Sequence, residues 1–242
     1  MPDLFPAAPP AADRLPPTDA TPGTLPVVLG GETVVLLAER ALHWPRGATL
    51  FVADVHLGKA AAFRAGGVPV PRGATAADLG RLSLLLERTR CTRLVVLGDL
   101  LHAPQGRVPA LDAAVAAWRS RHAGLAITLV RGNHDARAGD PPSSWGVDAV
   151  AAPHLLAPFV LHHEPATPPT GYALCGHVHP GVRLRGAAGD SARLPCFVLG
   201  PRRALLPAFG RLTGLAVVAA RRDETRVAIA GSTLHPLPAA GT

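Results

Sequence analysis

Five polar motifs stand at the ends of short apolar runs, and they fall in one order along the chain. They are Asp54-Val55-His56, Gly98-Asp99, Gly132-Asn133-His134-Asp135, His162-His163 and Gly176-His177-Val178-His179. The runs before them are rich in β-branched residues or leucine, as strands are. A fold that uses all five must bring several strand ends to one edge of a sheet. The groups gathered there are carboxylates, imidazoles and one carboxamide. Such a set can hold a pair of metal ions, and it implies metal-assisted hydrolysis of a phosphate ester.

The strand-like runs are Thr33–Ala38, Thr49–Ala53, Arg93–Leu97, Ile127–Arg131, Phe159–His162, Tyr172–Cys175, Pro195–Leu199, Leu215–Ala219 and Arg226–Ala230. Two segments have helical period instead. Thr75–Arg90 places Ala76, Leu79, Leu82 and Leu86 on one face, with Thr75 as a plausible N-cap. Ala110–His122 does the same with Leu111, Val115 and Trp118. The first half alternates strand and helix, and the second half is mostly strand between Gly and Pro turns. That mixture predicts an α/β sandwich, two sheets packed inside helical layers. Residues 1–24 are dominated by Pro, Ala and Thr with no period and read as a disordered tail; the domain is expected over 25–237.

Each motif has its own chemistry. Asp54 and His56 leave a strand two residues apart and can offer a carboxylate and an imidazole to one metal. Asp99 follows a buried-strand pattern and a glycine that permits a sharp exit. It stands where ligand sites of open α/β sheets lie, and its two oxygens can bridge two cations. An Asp there also caps turns in many chains. Asn133 offers a carboxamide oxygen without charge. His134 stands beside the metals, where Asp135 can orient its imidazole and favour the protonated form. Such a histidine can give a proton to a leaving alkoxide. His177 and His179 repeat the two-residue spacing after a glycine. Mixed O/N donors suit Mn²⁺, Fe²⁺ or Zn²⁺ better than Mg²⁺.

Composition bounds the rest. The chain has 242 residues, 48% hydrophobic but only 4% aromatic, so its core has to be mainly Leu, Val and Ala. The formal charge of +7 fits a polyanionic partner and equally fits arginines spread over a solvated surface. Cys91, Cys175 and Cys196 lack the paired spacing of a zinc ribbon and cannot all pair within one chain, which suggests a reducing compartment. No basic start precedes an apolar stretch, and no apolar run is long enough to span a bilayer. A cytoplasmic protein without a membrane partner is expected.

Taken together, the motifs resemble the signature of the calcineurin-like metallophosphoesterase superfamily: D-x-H, G-D, G-N-H-[DE], H and G-H-x-H, over roughly residues 49–180. A narrower resemblance covers most of 25–237. It rests on Ala53-Asp54-Val55-His56-Leu57-Gly58-Lys59-Ala60-Ala61-Ala62-Phe63-Arg64, Val68-Pro69-Val70-Pro71, His163-Glu164-Pro165 and Gly176-His177-Val178-His179-Pro180-Gly181. Leu194-Pro195-Cys196-Phe197 and Leu206-Pro207-Ala208-Phe209-Gly210 add to it. These are similar to the bacterial ligase-associated DNA-damage-response endonucleases of the PdeM type.

The resemblance implies a four-layer αββα sandwich and two divalent metal ions, Mn²⁺ first. One ion would be held by Asp54, His56, Asp99 and His179, the other by Asp99, Asn133, His163 and His177, with Asp99 bridging. His134 would be the acid or phosphate-orienting group with Asp135 behind it. His162 could take the place of His163. The implied activity is hydrolysis of DNA phosphodiester bonds in bacterial repair, with DNA as partner and a functional association with a DNA ligase and helicase. Arg64 and Arg183, near the motifs, would hold backbone phosphates, and His102 would touch substrate or support the ligands. The alternative is a phosphoesterase on a small substrate: a cyclic nucleotide, a phosphomonoester or a nucleotide-linked lipid. A non-catalytic scaffold is disfavoured, since such a protein would be expected to have lost ligands.

Overall fold

The computed structural model describes residues 21–186, 189–219 and 221–238. Most of the stretch read as a tail, residues 1–20, lies outside these; the first strand begins at Thr24.

The first sheet has seven strands in sequence order. Strands β1 (Thr24–Leu29), β2 (Glu32–Leu37), β3 (Ala41–Trp44) and β4 (Thr49–Val52) form an antiparallel meander. From β4 onward the pairing is parallel, through β5 (Arg93–Leu97), β6 (Ala126–Val130) and β7 (Val147–Val150). Parallel neighbours need crossovers. These carry α1 (Lys59–Ala65) and α2 (Ala74–Thr89), then α3 (Pro109–Arg121), then the short α4 (Asn133–Ala138).

The second sheet holds β8 (His154–Leu156), β9 (Phe159–Leu161), β10 (Tyr172–Cys175), β11 (Pro180–Arg185), β12 (Ser191–Leu199), β13 (Arg203–Leu205), β14 (Ala216–Val217), β15 (Thr225–Ala230) and β16 (Thr233–Leu237). Its path is β14-β11-β12-β13-β10-β9-β8, with β15 also on β12 and β16 on β15. Here β9, β10 and β13 run parallel.

The period-2 alternation of β4 and β5 sorts side chains to two cores. Leu50, Val52, Leu94 and Val96 meet Leu79, Leu82 and Leu86 of α2 and Leu111, Val115 and Trp118 of α3. Phe51, Val95 and Leu97 meet Phe159, Leu161, Leu174 and Phe197 of the second sheet. The expected α/β sandwich is thus formed. All described α-helices precede Gly139. On the outer face of the second sheet Cys175 and Cys196 are buried, and the backbone of Ala166 reaches the Cys175 thiol.

Three local expectations are corrected. Gly73, not Thr75, is the N-cap of α2; its φ of 96° suits a residue without a Cβ, and no side chain caps the helix. Ala76 is exposed, because the buried face runs through Asp78, Leu79, Leu82, Leu85 and Leu86. The run read over Leu215–Ala219 forms a strand only at Ala216–Val217, a short edge beside β11. No described helix is long and apolar enough to cross a membrane.

Candidate metal centre

All five motifs follow the carboxyl ends of parallel strands: β4, β5 and β6 in one sheet, β9 and β10 in the other. The facing sheets therefore deliver their polar ends to one edge of the sandwich, where ligand sites in parallel sheets form.

The backbone makes an unusual exit there. Asp54, His56, Asp99, His177 and His179 all have φ between 50° and 69°, the left-handed region. A residue with a Cβ pays about 1–2 kcal/mol to sit there. Neighbouring hydrogen bonds hold the conformation. Asp54, His56 and Leu57 donate their N–H groups to the carbonyls of Gly98, Asp99 and Leu100 at 3.1, 2.8 and 2.7 Å. The D-x-H and H-x-H motifs thus share one device, a turn with left-handed first and third residues, and not the strand continuation their spacing suggested. Gly98, with φ 78°, has to be glycine for a second reason: a Cβ would land on the His163 imidazole.

Two donor sets result. In the first, Asp54 Oδ1 lies 3.3 Å from His179 Nε2, with His56 beside them. Asp54 is fully buried, and its carboxylate accepts the His177 N–H at 3.0 Å. In the second, His163 Nε2 lies 3.5 Å from Asp99 Oδ1 and 3.0 Å from both Asn133 Oδ1 and His177 Nδ1. Asn133 Oδ1 and His177 Nδ1 are themselves 3.0 Å apart. Asp99 faces both sets, its Oδ2 being 3.9 Å from His56 Nε2. Of the His162-His163 doublet, His163 enters the cluster. His162 donates its N–H to Leu174, and its ring Nε2 is buried without a partner.

These donors fit two cations. With His163 Nδ1 donating to the Leu97 carbonyl at 3.0 Å, a neutral imidazole would aim an Nε2 lone pair at the Asn133 oxygen. Lone pair against lone pair is repulsive unless a cation lies among them. His56 is 4% exposed, and neither of its ring nitrogens has a hydrogen-bond partner; His179 Nε2 is likewise orphaned. Buried polar atoms without partners are costly, and metal coordination resolves the cost. Burial, then the Lys59 ammonium and neighbouring imidazoles, pushes His56 down to about 2, so it is the neutral form that ligation requires. Burial raises Asp99, a penalty that the His163 side chain opposes and that a cation would reverse.

Among solved structures the chain is similar to the Pseudomonas putida nuclease MPE, at 42% identity with a TM-score of 0.79, over 88% of this chain and 100% of that one. The chain belongs to the calcineurin-like metallophosphoesterase superfamily. It is a metal-dependent phosphoesterase. A second structure, the E. coli phosphoesterase Yfce, matches at 17% identity over 76% of this chain and 88% of that one, with a TM-score of 0.37, too loose to bear on the site. No protein-family profile and no curated protein matches the chain.

Beside the two donor sets of this metallophosphoesterase stands His134. Its Nδ1 lies 2.7 Å from the His102 carbonyl, and its Nε2 is 4.0 Å from Asp99 Oδ2. The rings of His102 and His134 stack with centroids 5.0 Å apart, and His56 meets both edge-on. His102 is thus brought into the site, where burial and then the Lys59 ammonium lower it to about 4.

The role expected for Asp135 is corrected. Its carboxylate does not reach the His134 ring; it accepts the backbone N–H groups of Asp99, Leu101 and Gly132 at 2.7, 2.9 and 2.9 Å. The reason is its place at the third position of α4, from which a carboxylate turns back to the N-cap. The His102 carbonyl orients His134 instead. Asp135 pins the Asp99 loop to the Asn133 turn. Asp135→Ala would leave three buried donors without an acceptor, at about 1–3 kcal/mol each, and is expected to lower the melting temperature by about 10 °C or more. A thermal melt with parallel Mn²⁺ analysis checks this, since metal content should fall with it.

The predicted substrate arginines are not gathered in. Arg64 is exposed, donating to the Val70 carbonyl at 3.3 Å, and Arg183 stands exposed on β11, paired across from Arg193. Neither bonds to the ligand cluster among the described residues. Sequence reasoning missed Lys59, which the structure sets beside the cluster. The available signal was its place as the chain's only lysine, three residues after His56.

Proposed function

We propose that this metallophosphoesterase hydrolyses DNA phosphodiester bonds in bacterial repair. Two divalent ions would serve it, Mn²⁺ ahead of Fe²⁺ or Zn²⁺. The observation that carries the reading is the likeness to a nuclease of which this chain covers the whole length at 42% identity. The net charge of +7 suits a polyanion. Cys91, Cys175 and Cys196 are all free and buried, which suits a cytoplasmic setting, and a functional association with a DNA ligase and helicase follows from the same reading.

Asp54, His56, Asp99 and His179 would hold one ion, and Asp99, Asn133, His163 and His177 the other. When bound, the pair makes a water acidic enough to ionise near neutral pH and offsets charge on the phosphoryl oxygens. The buried residues Asp54, Asp99, His56 and His163 form the floor of the site, while His177 is exposed and leaves its rim open to a polymer. His134 keeps its Nδ1 proton on the His102 carbonyl, so Nε2 is the atom that can exchange a proton with the departing oxygen.

The test is an activity panel on protein reconstituted with Mn²⁺: single-stranded DNA, duplex DNA, RNA, cyclic nucleotides and a chromogenic diester. DNA cleavage that vanishes on chelation is expected. Turnover of cyclic nucleotides with intact DNA would transfer the assignment to the small-substrate alternative.

A further inference from the structure

Lys59 opens α1 beside the metal ligands and is half-buried. In a chain with 24 Lys and Arg residues it is the single lysine, a compact ammonium where arginine is otherwise used throughout. Among the described residues its ammonium makes neither an ion pair nor a hydrogen bond; Nζ lies 5.7 Å from the centroid of the Phe63 ring. Burial lowers its pKa, with the Asp54 and Asp99 carboxylates opposing. Those carboxylates belong to the donor sets above. With two divalent ions on them, the ammonium faces excess positive charge, and only an incoming anion offsets it.

A small pocket adjoins this point, lined among others by His56, Lys59, Ala74, Thr75, Gly210 and Thr213. Ala74 and Thr75 are the first turn of the 16-residue α2, which has no side-chain cap and no acidic residue in that turn. Its free N–H groups are anion donors. One further group on the pocket, the Thr213 hydroxyl, lacks a partner. The carboxylate that lines it, Asp78, is engaged by Arg81 at 3.2 Å and by the Arg211 N–H at 3.5 Å, so it does not oppose an anion strongly.

We propose that Lys59 and the first turn of α2 form a second phosphate subsite, which holds the phosphate next to the scissile one along a nucleic-acid strand. The subsite makes a polynucleotide a better substrate than a small diester. It rests on the DNA reading above and adds to it a residue that selects for polymer.

Lys59→Met and Lys59→Arg are compared with wild type on a DNA oligonucleotide and on a chromogenic diester, with Mn²⁺ content measured on each. Lys59→Met should lose at least tenfold more kcat/KM on the oligonucleotide than on the diester, at wild-type metal content. Binding of a labelled oligonucleotide to Mn²⁺-loaded His134→Ala protein should weaken when Lys59→Met is added. The log–log salt slope should become shallower by about 0.7–0.9, as for one lost phosphate contact. Lys59→Arg should restore most of the slope. Equal losses on both substrates, lost metal, or an unchanged slope would overturn the subsite. A wild type that turns over the diester but cuts no polynucleotide overturns the DNA reading and the subsite with it. A wild type that cuts DNA alongside an unaffected Lys59→Met overturns the subsite alone.

Discussion

Asp99→Ala is expected to abolish turnover and to reduce bound Mn²⁺ from two ions to at most one. Asp99 is 1% exposed and faces both donor sets, with Oδ1 3.5 Å from His163 Nε2 and Oδ2 3.9 Å from His56 Nε2. Losing one electrostatic donor from an active site typically costs about 10²–10³ in rate, and a shared ligand should exceed that. Because Asp99 lies near Asp54 and burial penalises its charge, metal-free Asp99→Ala need not melt lower than metal-free wild type. What should disappear is the rise in melting temperature on adding Mn²⁺, which follows from binding to the native state. His179→Ala, by contrast, should weaken only the set around Asp54. Two retained ions and intact turnover in Asp99→Ala would remove the bridging assignment.

The parts of this site legible in sequence are those where a strand signal runs directly into a polar residue. Arg93–Leu97 is a strand to the residue, because four consecutive core positions, Leu94 to Leu97, leave little else for it to be, and the position of Asp99 beyond its end was read from it. Short strands such as β4, β9 and β10 were read where an apolar run carried them, but other short or interrupted elements were not. β3 has four residues, β13 has three, β1 contains Pro26 and β16 contains Pro236; each exists because a neighbour supplies the ladder. The helix α4 carries no hydrophobic period over its six residues and forms on its capping interactions.

The members of the cluster were read more fully than the backbone that supports them. Spacing brought Asp54 to His56 and His177 to His179, but the left-handed backbone at these four residues could not be inferred, since nothing in Asp or His demands it and tertiary hydrogen bonds impose it. For Asp135, adjacency to His134 suggested a side-chain pair. Two neighbours in a helix point about 100° apart, so they rarely serve one another. The partner of His134 is the carbonyl of His102, 32 residues away, a contact that only the closed fold creates.

His134→Ala should therefore depress turnover while leaving two ions bound. Its imidazole sits 4.0 Å from Asp99 Oδ2, near the donors without joining them, and its Nδ1 is committed to the His102 carbonyl. The Nε2 atom is thus free to deliver a proton. General-acid assistance is worth about 10²–10⁴ in rate when the leaving group is a poor one, such as a sugar hydroxyl. Nitrophenolate departs without a proton, so the same variant should lose far less on a nitrophenyl diester. Substitution of His102 does not test this, because the acceptor is its backbone carbonyl; His134→Gln, which can hydrogen-bond but cannot deliver a proton, does. If His134→Gln recovers the oligonucleotide rate, or if both leaving groups suffer alike in His134→Ala, the imidazole orients phosphate and the departing oxygen takes its proton from elsewhere.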